Sequence, residues 1–415
     1  MLSQFFESPA RIQALRCSSF GAQLENFADY LLENGYAQIS ARRHIRSAEH
    51  MAHWASKSAL SADELDDSTL KRFANHLKRC RCGRYSCAHP VDILTGARLF
   101  LRQLQGVDTP AVRESDPAEP QPVLLQSFCE WMREHRGTSE RTLYNYSIPI
   151  GELIRCFGED PSTLDAQRLR DFVLKQSHST GWAGAKRCTT ALRMFLRFLI
   201  AEGRCRASLL GAIPVLAHWR LSSLPRSLPP EDVECLIDSC DLSSPVGKRD
   251  RASLLLLARL GLRAGDIVQL RLHDIDWKGA WIHVSGKSRR QTRLPLTQEV
   301  GEAIVAYLQE GRPSAHSDAL FLRSRAPFRA LASHQAVSVL VARALRRAQI
   351  KTTGRGAAHL LRHSVASSML RQGASLQEVS ALLRHRCIET TEIYAKIDVT
   401  ALQQIAQPWP EAPSC

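Results

Sequence analysis

The sequence of 415 residues lacks an apolar run long enough to cross a membrane. Its most apolar segment, SLLLLARLGLR, is interrupted by Arg259, and the opening MLSQFFESPARIQALR has no long apolar core. We therefore expect neither a membrane span nor a secretory signal peptide. Both expectations favour a cytoplasmic protein over a membrane or secreted one.

The sequence also lacks the cysteine pattern of a disulfide-stabilised protein. Its 12 cysteines are mostly scattered singly through segments with a helical spacing of apolar residues, as at Cys129 and Cys156. We expect reduced thiols that pack as small apolar groups, which again fits the cytoplasm.

One stretch departs from this scatter. KRCRCGRYSCAHP contains three thiols and an imidazole that could together hold a tetrahedral zinc ion: Cys80, Cys82, Cys87 and His89. The C-x-C and C-x-H spacings are tighter than the usual paired C-x2-C pattern. A basic loop with incidental cysteines is the alternative.

Acidic residues are in the minority. There are 41 Asp and Glu against 55 Lys and Arg, which gives a formal net charge of +14. Such a charge favours a polyanionic partner, and nucleic acid is the first candidate. Composition alone also allows a merely basic protein.

Two proline-containing stretches divide the chain. Residues 107–121 carry three prolines and four acidic residues without apolar periodicity, and residues 214–230 carry four prolines. We interpret both as linkers. They separate a helical module at 1–106, a second helical module at 122–213 and a C-terminal domain at 231–398, which is followed by a tail at 399–415.

The second helical module resembles the first. SFCEWMREHRGTSERTLYNY parallels NFADYLLENGYAQISARRHI, and ALRMFLRFLIAEG parallels GARLFLRQLQG. Tandem copies of one helical unit suggest duplication, although two generic amphipathic bundles could look alike.

The C-terminal domain mixes helical segments with one β-hairpin. AWIHV (280–284) and TRLPL (292–296) alternate around the turn SGKSRRQ, which predicts two antiparallel strands. The expected fold class is therefore mainly α with a small β-sheet in the last domain.

Residues 359–396 of this domain concentrate groups that can do chemistry. HLLRHSVASSMLRQGASLQEVSALLRHRCIETTEIYAK begins with His359 and Arg362 one helical turn apart, passes His385 and includes Tyr394. A phenol is a poor nucleophile at neutral pH, so a site built on one needs cations to stabilise developing oxyanions. His363 falls on the next helix face, and we interpret it as a packing residue.

Two upstream residues could belong to the same site. Arg263 in GLRAGDIVQLR follows a run of leucines, where a buried guanidinium requires an anionic partner, either a ligand or Asp266. Lys287 lies in the hairpin turn, where a lysine is otherwise an ordinary exposed residue.

The order, spacing and apolar surroundings of these six residues closely resemble the tyrosine recombinase (phage integrase) family. The resemblance implies a C-shaped DNA clamp of helical core-binding domains and an α+β catalytic domain. It implies that Tyr394 attacks duplex DNA to form a 3′-phosphotyrosyl link. Arg263 and Arg362 would stabilise the phosphoryl oxygens, His359 would transfer the tyrosine proton, His385 would support the phosphate, and Lys287 would protonate the leaving 5′ oxygen.

The resemblance further implies a mobile-element integrase that needs no cofactor for catalysis. It would act on double-stranded DNA in a homo- or hetero-tetramer of recombinase subunits, in the bacterial nucleoid. One residue departs from the family pattern, because Arg384 stands where a glycine usually precedes the histidine. Alternatives are a type IB topoisomerase, a DNA-binding protein with a weakened site, and a helper active only beside partner recombinases.

Overall fold

The computed structural model describes residues 2–80, 82, 90–106, 121–216, 224–285, 291–352, 356–397 and 402–403. By internal packing the chain divides into two compact units, residues 1–109 with 221–415 and residues 110–220. The expected fold class, mainly helical with a small C-terminal sheet, is confirmed. None of the described helices combines the length and apolar character that a membrane span needs.

Among its described residues, the N-terminal part of the first unit contains five α-helices. They are α1 (Pro9–Arg16), α2 (Gly21–Glu33), α3 (Gln38–Lys57), α4 (Asp67–Leu77) and α5 (Pro90–Leu104). Phe27, Ile45 and Phe100 are fully buried where α2, α3 and α5 meet. Burial of these apolar faces is what stabilises helices whose individual propensity is modest.

In residues 121–216, which the structure describes, the second unit has three longer α-helices: α6 (Val123–Arg136), α7 (Glu140–Phe157) and α8 (Ala166–Ala201). Their core is aromatic, with Phe128 packed edge-to-face on Phe195 at 5.4 Å between ring centroids. Gly181, at φ 68° and ψ −175°, interrupts the helical geometry of α8.

The two helical modules share an order of elements as well as sequence. In each, a helix ends near a left-handed glycine, Gly35 (φ 71°) or Gly137 (φ 55°), and a second helix follows. A short 3-10 turn then leads to an aspartate N-cap, Asp66 for α4 and Asp165 for α8. The same sequence of a positive-φ glycine and an Asx cap fixes equivalent chain reversals in both modules.

Where the structure describes it, the remainder of the first unit contains the sheet and seven more α-helices. They are α9 (Pro230–Asp238), α10 (Pro245–Arg259), α11 (Ala264–Gln269), β1 (Ile275–Asp276), β2 (Trp281–Ser285), β3 (Gln291–Pro295), α12 (Gln298–Glu310), α13 (His334–Arg347), α14 (Ala357–Arg371) and α15 (Leu376–Leu383). Two 3-10 turns, Ile388–Thr390 and Glu392–Ile397, follow.

The sheet is antiparallel in the order β1-β2-β3, with Ile282 opposite Leu294. The predicted hairpin is therefore present, and β1 adds a strand that was not expected. Alternation puts Ile282, Val284 and Leu294 inward, where they join the core around α10. Leu254, Leu255, Leu256 and Leu257 of α10 are all fully buried, so this helix is the centre against which α12 and α14 pack.

The Asp165 cap provides a local test of the second module. Its carboxylate accepts a hydrogen bond from the Arg168 amide at 2.8 Å. Asp165→Ala leaves that amide without its cap, so we expect roughly fivefold faster hydrogen exchange in the first turn of α8. Asp171→Ala, an exposed change on the same helix, serves as the control, and equal exchange in both variants would contradict the cap assignment.

Candidate active site

Arg263 enters the site from a turn that requires glycine. The chain leaves α10 through Gly261, at φ 58°, where an added Cβ would lie 2.8 Å from Leu383 Cδ2. Arg263 then precedes α11, and its backbone N–H donates to Asp266 Oδ2 at 2.8 Å. Burial lowers the pKa of the Arg263 guanidinium, against the attraction of Asp266. A lowered pKa here means that the cation would gain from a further anion.

Arg362 lies on the buried face of α14 with 4% of its surface exposed. Its guanidinium donates to the backbone carbonyls of Gly261 and Leu383. Burial lowers its pKa to about 9, and repulsion from Arg263 and Arg384 adds to the effect. At neutral pH the group is still charged. Two carbonyls fix its position but do not neutralise it.

Arg384 occupies the left-handed turn at the end of α15. Its backbone has φ 54° and ψ 48°, a conformation that a glycine adopts without steric cost and other residues adopt at about 1 kcal/mol. Its side chain turns inward, with 8% exposed, and donates to the Asp266 carboxylate. The turn is thus kept, and the arginine that replaces glycine becomes part of the site.

The three guanidinium groups carry more positive charge than their surroundings balance. Asp266 is the carboxylate that raises the pKa of both Arg263 and Arg362. Within the part of the chain that the structure describes, Arg384 Nε and Nη1 are buried and have no hydrogen-bond partner. Buried donors without partners are costly, so the cluster is suited to an anion with several acceptor oxygens, as a phosphate has.

Two histidines flank this cluster. His359 is on α14 one turn before Arg362 and is exposed at the surface. Desolvation by its neighbours and the charges of Arg362 and Arg263 lower its pKa. His385 follows Arg384, and its Nδ1 lies 2.8 Å from Thr391 Oγ1. Burial lowers the pKa of His385 to about 4, with Arg362 contributing. Both imidazoles are therefore neutral at pH 7.

Tyr394 is buried, with 1% of its surface exposed. Its hydroxyl lies 2.7 Å from His363 Nδ1. Burial raises the pKa of Tyr394 to about 12, a rise that Arg362 opposes, while burial lowers the pKa of His363 to about 4. The phenol is thus protonated and the imidazole neutral. In the tautomer protonated at Nε2, the Tyr394 hydroxyl donates to Nδ1 of His363.

His363 is the contact that sequence reasoning missed. We expected a packing residue from its helix face, whereas its ring meets the phenol from a turn 31 residues later. No local signal marks this pair, because the contact depends on how the 3-10 turn Glu392–Ile397 packs on α14.

The structure brings five of the expected residues into one cluster: Arg263, His359, Arg362, His385 and Tyr394. They are close enough that the charge of Arg362 lowers the pKa of both histidines, and that Arg263 and Tyr394 affect the pKa of Arg362. The sixth expected residue, Lys287, lies outside the described residues, as do Cys87 and His89 of the candidate zinc site.

The sequence matches known recombinases over most of its length. The model of the phage integrase family matches residues 226–400. The protein y4rA of Sinorhizobium fredii, whose name assigns it provisionally to the integrases/recombinases, is 35% identical over 92% of this chain and 93% of its own. The tyrosine recombinase XerC of Azotobacter vinelandii is 31% identical over 68% of this chain and 93% of its own.

The chain belongs to the phage integrase family of tyrosine recombinases. It is therefore an enzyme of DNA strand breakage and rejoining, and its relatives support recombination over the topoisomerase alternative. Tyrosine recombinases in general need no cofactor for this reaction.

Solved structures agree on the fold. A XerH site-specific recombinase bound to a palindromic difH substrate has a TM-score of 0.55 at 18% identity, covering 90% of this chain and 97% of that one. A lambda integrase dimer bound to a COC′ core site has a TM-score of 0.53 at 19% identity, covering 70% and 98%.

The lowered histidine pKa values predict acid sensitivity. The pKa of a histidine in the unfolded chain is about 6.5. In the folded chain, burial lowers the pKa of His363 and of His385 to about 4. The unfolded state therefore binds more protons between these values, and the free energy of unfolding falls as the pH drops through this window. Urea unfolding at several pH values gives the free energy of unfolding at each pH. Its dependence on pH between about 4 and 6.5 should have a smaller slope for His363→Asn or His385→Asn than for the wild type. Identical slopes for the wild type and for both variants would contradict the assignment.

Because Asp266 and Arg384 form a buried ion pair, we expect substitutions at the two positions to have non-additive effects on the free energy of unfolding. Asp266→Asn leaves a buried guanidinium without its carboxylate, so we expect a loss of about 3 kcal/mol in the free energy of unfolding. In an Arg384→Gly background, Asp266→Asn should reduce the free energy of unfolding far less, because no unpaired Arg384 guanidinium remains. The exposed pair Arg271 and Asp318 is the control, where Asp318→Asn should cost less than about 0.5 kcal/mol. Additive effects of Asp266→Asn and Arg384→Gly would show that the pair is not coupled.

Proposed function

We propose that this chain is a site-specific recombinase in which Tyr394 attacks the scissile phosphate of duplex DNA. The hydroxyl oxygen would form a bond to phosphorus and the 5′ oxygen would leave, giving a 3′-phosphotyrosyl link that a partner strand's 5′ hydroxyl can reverse. The proposal rests on one observation. Arg263 and Arg362 lie near one another beside Tyr394, and the surrounding carboxylates do not balance their positive charge. Their planar groups fit the two non-bridging oxygens of a phosphate, where charge accumulates during transfer.

The neighbouring residues have assignable roles in this reaction. His359 and His385 are neutral at pH 7 and border the arginines, so His359 can take the tyrosine proton and His385 can donate a hydrogen bond to the phosphate. Lys287 would protonate the leaving 5′ oxygen. Its assignment rests on its position in the sequence between β2 and β3 and on the resemblance to the family.

Attack requires Tyr394 to leave its buried position. The hydroxyl is hydrogen-bonded to His363, and releasing it costs about 1 kcal/mol for the hydrogen bond before any packing is counted. We therefore propose that binding of the DNA substrate favours exposure of the phenol.

The helical modules at 1–106 and 122–213 and the catalytic domain at 231–398 would each contact double-stranded DNA. The start of α7 supports this, because Arg141 lies over the ring of Tyr144, which is 61% exposed. A basic and an aromatic side chain on one exposed face suit a nucleic acid backbone. We further propose that the enzyme acts for a mobile element on nucleoid DNA in the bacterial cytoplasm, in a tetramer of like or related recombinase subunits.

A covalent trap tests the reaction. The substrates are duplexes from the DNA that flanks the gene, each with a nick close to the cleavage site. After cleavage, the short fragment that carries the new 5′ hydroxyl dissociates, so the strand cannot be rejoined. A covalent protein–DNA adduct should therefore accumulate and persist in denaturing electrophoresis. Tyr394→Phe removes the attacking oxygen and should abolish the adduct entirely.

Tyr307→Phe is the matched control. Tyr307 is equally buried, and its hydroxyl accepts from the Leu322 amide rather than facing the arginines. It should form adduct at the wild-type level. DNA binding without adduct on any flanking duplex would favour a DNA-binding partner of other recombinases, and an adduct that survives Tyr394→Phe would overturn the assignment of the nucleophile.

A further inference from the structure

The N-terminal module contains a second cluster of reactive side chains, unrelated to the recombination site. His50 on α3, His76 near the end of α4, and Cys80 and Cys82 just after α4 place four potential ligand atoms within 4.8 Å of one another. His50 Nε2 lies 3.4 Å from Cys80 Sγ, and His76 Nε2 lies 3.7 Å from Cys82 Sγ.

These distances match a tetrahedral metal site. With Zn–S near 2.3 Å and Zn–N near 2.0 Å, a sulfur and a nitrogen ligand of one zinc ion lie about 3.5 Å apart. Two thiolates and two imidazoles are a common structural zinc set. We propose that His50, His76, Cys80 and Cys82 bind a structural zinc ion.

The charge balance and the surroundings favour the same ion. On binding, each cysteine loses its thiol proton, so two thiolates neutralise Zn²⁺ and two neutral imidazoles complete the shell. A site of zero net charge suits a pocket with an apolar wall. His50 is 1% exposed, and its ring packs edge-on against Phe73 at 5.3 Å between centroids.

The second helical module provides an internal comparison. Counted from the shared glycine, position 50 corresponds to Glu152. Counted from the shared N-cap, position 76 corresponds to Lys175. Neither Glu152 nor Lys175 continues the His and Cys set.

The modules also differ in how their last segments are joined. In the second, the helical geometry of α8 is interrupted at Gly181 alone and then resumes. In the first, α4 ends at Leu77 and α5 begins only at Pro90. The ligands therefore belong to the module with the longer connection, and a metal would tie the start of that connection to α3.

This ligand set differs from the one expected from local spacing. Cys80 and Cys82 are common to both, but His50 and His76 take the places of Cys87 and His89. His50 is 30 residues before Cys80, and only the packing of α3 on the end of α4 brings it near.

The two sets differ in coordination chemistry, which gives a direct test on the complete protein. Zinc content of protein purified from zinc-supplemented cells should be one equivalent per chain. X-ray absorption at the zinc edge should report two sulfur and two nitrogen ligands. Three sulfurs and one nitrogen would overturn the proposal in favour of the Cys87 and His89 set. Zinc-free protein that takes up no Zn²⁺ on titration would overturn it altogether.

Variants separate the sets independently. His76→Gln should lose the bound zinc, while Cys87→Ser and His89→Ala should retain it; the reverse result would contradict the proposal. Cys17→Ser, at an exposed cysteine of the same module, is the matched control for cysteine removal. Circular dichroism of each variant shows whether the module is still folded. If His76→Gln unfolds, the ligand count of the wild-type protein still decides.

Discussion

The proposed active site depends on one costly group, the buried guanidinium of Arg362. It is held by the carbonyls of Gly261 and Leu383, which belong to two turns more than 100 residues apart in sequence. Each turn has the backbone geometry that this requires, a positive φ at Gly261 and another at Arg384. The leucines of α10 fix the first turn, and the packing of α15 fixes the second. The cation is thus preorganised without being neutralised, and that imbalance is what a phosphate can satisfy.

Arg384 shows how a departure from a family pattern can be accommodated. The left-handed turn disfavours a side chain by about 1 kcal/mol, yet the side chain that stands there gains a buried carboxylate partner in Asp266. The result adds a third guanidinium to the site. It also means that Asp266 stabilises two arginines at once, through the backbone of Arg263 and the side chain of Arg384.

Sequence reasoning was most successful where the signal is local. Apolar periodicity predicted the helices and alternation predicted the hairpin of β2 and β3, while motif order selected Arg263, His359, Arg362, His385 and Tyr394 as one group. It was least successful where side chains meet across the fold. The contact of His363 with Tyr394, the Asp266 and Arg384 pair, and the approach of His50 to Cys80 join residues 30 or more positions apart. No periodicity encodes such contacts, because they depend on which helix faces pack together.

We propose that the arginines act by neutralising the phosphate that Tyr394 attacks. The most direct measurement is the rate of adduct formation on a duplex whose scissile phosphate has one non-bridging oxygen replaced by methyl, which removes its negative charge. Arg263→Ala should greatly slow adduct formation on the natural phosphate, and most of that deficit should disappear on the methylphosphonate, because the charge that Arg263 balances is absent. An equal deficit on both substrates would contradict the account, since Arg263 would then act on something other than the phosphate charge.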